Sequence, residues 1–158
     1  MQTLNVGAGR TDQEYKAAED EHRADLLAES RNNANYFFIA AVLAGIGCGL
    51  FLFRLNVLVS IGAYELLTIY GRETIRHNPL LLYAAGVLWA AILVGLGFAA
   101  RKGYRWAFLA GVALYAGDMI ALAITFSVFS IGVHGFFVLK WYQGQKALED
   151  LKATKVSP

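Results

Sequence analysis

The sequence predicts an all-α integral membrane protein, a four-helix transmembrane bundle with an N-terminal cytoplasmic helix and an interfacial or re-entrant segment. Apolar residues make up 57% of the 158 residues and charged residues only 16%, whereas about a quarter of a soluble domain is charged. The mean hydropathy is +0.45. The apolar residues stand in runs long enough to cross a hydrocarbon core of ~30 Å. One membrane domain is the simplest organisation for such a chain.

Residues 1–32 form a polar N-terminal tail that we expect to be cytoplasmic and partly helical. Thr11 and Glu14 have the spacing of a capping box, in which each side chain accepts a hydrogen bond from a free backbone amide of the first turn. Farther along, acidic residues stand four positions before basic ones, the favourable order for exposed pairs. This tail is either a water-exposed extension or one half of a weak contact with a partner, and the solvated pattern favours the extension.

Two long apolar runs predict clear crossings of the membrane, at 33–54 and 79–100. At 1.5 Å per residue, each run matches the thickness of the hydrocarbon core. The second run begins at Pro79, a residue suited to the first turn of a helix, and stops before Arg101.

The segment between these runs, 57–72, is apolar but short. It carries Glu65 and ends in a glycine followed by two charged residues. Because this length falls below that of a typical crossing, we expect the segment to lie in the membrane interface or to re-enter partway.

The last long apolar run predicts two crossings, at 104–124 and 127–144, joined by a tight turn near 125–127. A single helix over Trp106 to Leu139 would measure ~51 Å, far more than one core thickness. The transmembrane bundle then covers 33–145 as a whole.

Basic residues predict the orientation of the bundle. The loop at 101–105 contains three of them, and the C-terminal tail, 146–158, contains three lysines. Because cytoplasmic loops are rich in lysine and arginine, we expect this loop and both termini on the cytoplasmic side of the membrane.

Small residues recur every four positions in three of the predicted helices. Such ridges allow helix backbones to approach closely in lipid, where apolar side chains gain little by leaving the acyl chains. The ridges therefore predict either packing within the bundle, which we favour, or a dimer face. They consist of Ala41, Gly45 and Gly49; Ala91, Gly95 and Ala99; and Ala113, Gly117 and Ala121.

Two ionisable residues lie inside the last predicted hairpin, where a charge is costly and is usually paired. Asp118 and His134 each stand eight positions from residue 126, so an antiparallel hairpin brings them to the same depth. Either the pair stabilises helix packing, the interpretation we favour, or it forms a proton-coupled or ligand-binding site. Four further residues would complete a polar seam beside the pair: Tyr115, Thr125, Ser127 and Ser130.

Motifs of enzymes and metal sites are absent from the sequence. There is no phosphate-binding loop, no H-E-x-x-H and no cysteine cluster, since Cys48 is the only cysteine. Asp118, His134 and Glu65 have the right types for metal ligands but not a short ligand spacing. Basic residues do not form a stripe that could follow nucleic acid. We therefore expect no enzyme activity, no cofactor, no metal and no nucleic-acid partner.

The second half of the chain resembles a group of small uncharacterised bacterial multi-pass membrane proteins. The resemblance covers roughly the last sixty residues, from the Arg101–Phe108 stretch through Asp118 to His134 and Phe136. It implies a final helical hairpin that bears an aspartate and a histidine in a bacterial inner membrane, and it implies no activity.

These observations together predict a structural or partner-binding component of the membrane. The alternative is a small oligomeric transporter or proton-coupled carrier that uses Asp118 and His134. Four short helices leave little room for a substrate cavity within one monomer, and larger carriers are commonly built from two related halves. The carrier would therefore need a second copy or another membrane protein as partner.

Overall fold

A computed structural model describes residues 12–52, 79–123 and 128–154 of the chain. These residues form four α-helices: α1 (Asp12–Leu52), α2 (Pro79–Arg101), α3 (Arg105–Ala123) and α4 (Val128–Thr154). The described ranges contain no β-strand, so the all-α class is confirmed at this level. The predicted segment at 57–72 and the predicted turn at 125–127 lie outside the described residues.

Helix α1 joins the predicted cytoplasmic helix and the first predicted crossing into one element of 41 residues. At 1.5 Å per residue it is ~60 Å long, about twice the thickness of a hydrocarbon core. No glycine or proline stands between Asp12 and Gly45, so nothing in that stretch interrupts the backbone hydrogen bonds.

The end of α2 and the start of α3 are joined by a three-residue corner. Gly103 has a φ of 82°, and its N–H donates to the Ala100 carbonyl at 2.9 Å, while the Tyr104 N–H donates to the Ala99 carbonyl at 3.1 Å. This pair of bonds is a Schellman motif, in which glycine takes the left-handed conformation that other residues adopt at a cost. The corner makes α2 and α3 neighbours in the bundle.

Helix α1 packs against both α2 and α4, while α3 packs against α4 and, less extensively, α2. The interior is filled by large aromatic side chains. Phe37, Phe108, Tyr115, Phe137 and Trp141 are at most 1% exposed.

Helix α4 continues to Thr154, whereas the sequence analysis ended the last crossing at 144. Ala147 and Leu148 are buried beyond that point. On α1, Leu26 and Ser30 are also buried, although the polar tail was expected to be a solvated extension. The two helices thus remain in contact with the rest of the protein beyond the predicted membrane boundary, because each carries apolar residues at helical spacing there.

Large apolar side chains are exposed on the bundle, and a few polar side chains are buried inside it. Ser30, Asn33, Asp118, Ser130 and His134 are buried. Large apolar side chains are exposed on every helix, including Ile39, Val42 and Ile46 on α1; Val87, Leu88, Ile92 and Phe98 on α2; Leu109, Leu114 and Ile120 on α3; and Phe136 and Leu139 on α4. Within the described residues one stretch, Tyr83–Arg101, is long and apolar enough by itself to span a membrane, with a mean hydropathy of 1.9.

Candidate functional site

Asp118 and His134 meet across the interface between α3 and α4. Nε2 of His134 lies 3.2 Å from Oδ2 of Asp118. The His134 side chain is 0% exposed and that of Asp118 is 3% exposed. The structure therefore brings together the two ionisable residues that the hairpin geometry had placed at one depth.

The other ring nitrogen of His134 determines how many protons the pair carries. Nδ1 lies 2.8 Å from the backbone carbonyl oxygen of Ser130, one turn earlier on α4. A carbonyl oxygen can only accept, so Nδ1 must carry a hydrogen. A second proton must then lie between Nε2 and the carboxylate of Asp118. Either imidazolium faces carboxylate or neutral imidazole accepts from a carboxylic acid, and in both states the pair has no net charge.

Because the pair has no net charge, both of its side chains can be buried. An isolated charge in a low-dielectric interior costs several kcal/mol or more, and a hydrogen-bonded partner offsets part of that cost. The arrangement can also hold one transferable proton, which is a chemical capacity that a purely apolar contact lacks.

Of the four residues predicted to support the pair, the structure describes two beside it. Ser130 is buried and contributes its backbone carbonyl. The Tyr115 ring is fully buried, with its centroid 4.8 Å from that of His134. Thr125 and Ser127 lie outside the described residues.

An aromatic cluster covers the pair on the side of α1. Tyr115 meets Trp141 edge to face, with centroids 4.7 Å apart, and Trp141 stacks on Phe37 at 4.1 Å with an interplanar angle of 8°. Each such contact contributes about 0.5–1.5 kcal/mol beyond the area it buries. The cluster fixes the position of α1 against the α3–α4 hairpin.

Three glycines leave space for aromatic rings that face them from other helices. We call these spaces sockets. A Cβ atom added at Gly111 would lie 2.5 Å from Cε1 of Phe37, and one at Gly144 would lie 2.5 Å from Cε1 of Phe108. At Gly97 it would lie 3.0 Å from Cζ of Phe38. The sequence does not predict the role of these three glycines, because that role depends on which ring faces each of them from another helix.

The predicted small-residue ridges are placed differently. A Cβ atom added at Gly45, Gly95 or Gly117 would meet nothing within 4 Å, so close packing inside the bundle does not require glycine at these positions. Among the alanines, Ala41 is buried and Ala99 packs against the core, while Ala91 and Ala113 are exposed. The surroundings of the Gly49 and Ala121 side-chain positions lie outside the described residues.

A second polar region lies at the α2–α3 corner. Arg101 Nε donates to Oδ1 of Asn35 at 3.0 Å, and its guanidinium carbon is 5.0 Å from the centre of the Phe38 ring. Arg105 forms an ion pair with Glu149 of α4. These contacts attach the corner to α1 on one side and to α4 on the other.

No group of three His, Cys, Asp or Glu side chains in the described ranges could hold a metal ion. Glu65, the third candidate ligand, lies outside those ranges. No family model, curated protein or solved structure matches this chain.

Proposed function

We propose that the chain is a multi-pass membrane protein that serves as a structural or partner-binding component of the membrane. The observation that carries this proposal is the exposure of large apolar side chains on all four helices, together with an apolar stretch, Tyr83–Arg101, that is long enough to span a membrane. In water such a surface would associate or aggregate, whereas lipid acyl chains or the apolar face of a partner would cover it without penalty.

The construction of the site favours a structural role over transport. The side chains of Asp118 and His134 are enclosed by closely packed neighbours. The two residues also satisfy each other's hydrogen-bonding groups. A carrier has to expose its site alternately to the two sides of the membrane. A close-packed interior does not deform continuously, so such exposure would require the aromatic cluster around Tyr115 and Trp141 to separate.

Fractionation and reporter fusions test the membrane assignment. The chain should remain in the membrane fraction after alkaline carbonate washing, and fusions placed at Pro158 and after Lys102 should both report the cytoplasmic side. Release of the chain by carbonate would contradict the proposal. If the C-terminal fusion reports the outside while the loop reports the inside, the region from Trp106 to Leu139 makes one crossing rather than two.

The alternative function, a small oligomeric proton-coupled carrier, is favoured by one observation, the buried 3.2 Å contact between His134 Nε2 and Asp118 Oδ2, two groups that can exchange a proton. Replacement Asp118→Asn separates the two functions, because the Asn amide can donate to Nε2 while it holds no transferable proton. A structural pair keeps its stability and the cellular phenotype in this variant. A carrier keeps its stability but loses proton flux in reconstituted vesicles.

A further inference from the structure

A groove lies at the α2–α3 corner, outside the Asp118–His134 site. It has a volume of about 510 Å³ and is lined by Ala28, Arg31, Asn32, Asn35 and Arg101. The four α1 residues stand at i, i+3, i+4 and i+7, so they form one face of that helix. Arg101 ends α2 beside this face. We propose that the groove binds the phosphate of an anionic lipid headgroup.

The charges of the lining residues carry this proposal. Two guanidinium groups and two amides line the groove, and no carboxylate does. In the part of the chain that the structure describes, neither Arg31 nor Arg101 forms an ion pair, whereas nearby Arg105 is neutralised by Glu149. No acidic residue stands three or four positions from Arg31 in the sequence. The groove therefore presents positive charge that the described protein does not balance.

Arg101 is held in place before any ligand binds. Oδ1 of Asn35 accepts hydrogen bonds from both Nε and Nη2 of Arg101, and Phe38 supports one face of the guanidinium. An arginine fixed in this way loses less side-chain entropy when it binds, and its remaining N–H groups suit the paired oxygens of a phosphate. The asparagine amides can supply further donors.

The position of the groove favours a lipid over a free anion. Arg101 is the last residue of the apolar stretch that is long enough to span a membrane, and Tyr104 and Trp106 beside it are more than half exposed. Exposed aromatic residues of this kind lie at the level of lipid headgroups. Basic pockets between helices on the cytoplasmic side are where anionic headgroups bind.

This inference rests on the membrane location proposed above, and a titration tests it. The full chain in neutral detergent is mixed with phosphatidylglycerol or with phosphatidylcholine of the same acyl chains, and bound lipid is counted by native mass spectrometry. Phosphatidylglycerol should bind at least about tenfold more tightly, because both headgroups carry a phosphate but the two guanidinium groups repel the choline cation of phosphatidylcholine. Equal binding of the two lipids would overturn the proposal.

Matched charge variants locate the binding. Double replacement Arg31→Gln/Arg101→Gln should abolish the preference for phosphatidylglycerol. Lys102→Gln/Lys146→Gln removes the same charge from two exposed lysines outside the groove and should lower the affinity less than about threefold in total, because neither lysine lines the groove. An equal loss in both double variants would show that charge alone matters and would overturn the site.

A single replacement tests the site in a variant that should still fold. Arg31 is exposed and has no hydrogen bond or ion pair among the described residues, so Arg31→Gln should keep the fold. It should still lower the affinity for phosphatidylglycerol about tenfold. Unchanged affinity would overturn the proposal.

Competition with inorganic phosphate tests whether the groove binds the phosphate of a lipid or free phosphate. It should compete with phosphatidylglycerol only at concentrations far above those of the lipid, and competition at equal concentration would overturn the assignment to a lipid. Failure here can be told from failure of the proposed function. A chain that resists carbonate washing but shows no lipid preference lacks this site alone, whereas a chain released by carbonate lacks the membrane location.

Discussion

The interior of the α3–α4 hairpin and the polar end of the bundle use similar side chains under different conditions. In the interior, Asp118 and His134 are almost completely buried and satisfy each other. At the polar end, Arg105 and Glu149 pair while their side chains are 34% and 43% exposed. When one residue is replaced, water can hydrogen-bond to the remaining residue of the Arg105–Glu149 pair but not to that of the Asp118–His134 pair. We therefore expect stability to depend on the interior and to tolerate changes at the end.

The largest effect should come from filling an interior socket. Gly111→Ala places a Cβ atom against Phe37 and Trp141, so both stacked rings must move, and overpacking of this kind costs about 1–3 kcal/mol. The free energy of unfolding in mixed micelles measures the loss. Gly117→Ala on the same helix is the control, since a Cβ there meets nothing within 4 Å. It should be neutral or stabilise by up to about 1 kcal/mol.

Equal losses in the two glycine variants would show that the Phe37–Trp141 stack does not depend on the socket. A large loss of stability in the Gly117 variant alone would instead show that helices pack closely along the predicted ridge of small residues that contains Gly117. The same pair of measurements thus decides between the predicted ridge and the observed socket.

The pairwise energy between Asp118 and His134 should be smaller than the loss at the Gly111 socket. Asp118→Leu leaves Nε2 of His134 without a partner, and His134→Leu leaves the carboxylate without one. Polar contacts between membrane helices are worth ~0.6 kcal/mol on average and reach ~1.7 kcal/mol. A double-mutant cycle should return a coupling energy of that size. Strict additivity of the two substitutions would show that the pair does not stabilise the hairpin.

The smallest effect is expected at the polar end. Arg105→Gln and Glu149→Gln each break the exposed ion pair, and the coupling between them should be about 0.2–1 kcal/mol and should fall as salt is added. A cycle on purified protein at low and high ionic strength measures both properties. A coupling larger than that of Asp118 and His134 would reverse the proposed ranking of the two regions.

The lengths of the apolar runs are sufficient to predict where the four described helices lie, though not their full extents. Asp118 is predicted opposite His134 because the two residues stand equally far from the predicted turn. The sequence does not predict Gly97, Gly111 and Gly144 as sockets. A four-residue spacing of small residues shows that a helix has a smooth face but not which neighbour the face meets. The continuation of α4 to Thr154 was missed for a related reason, since Leu148 becomes apolar core only when α4 packs against the other helices.

The most direct test of the account measures what surrounds the exposed apolar side chains. Spin labels at Val42, Leu88, Leu109 and Leu139 sample one exposed position on each helix, and Tyr15 on the polar part of α1 is the matched control. The labels are attached to single-cysteine variants in a Cys48→Ala background reconstituted in lipid vesicles. The account predicts that the four apolar positions collide with oxygen, which concentrates in lipid, and not with a water-soluble nickel chelate, while Tyr15 shows the reverse. Nickel accessibility at the four positions equal to that at Tyr15 would contradict the membrane bundle.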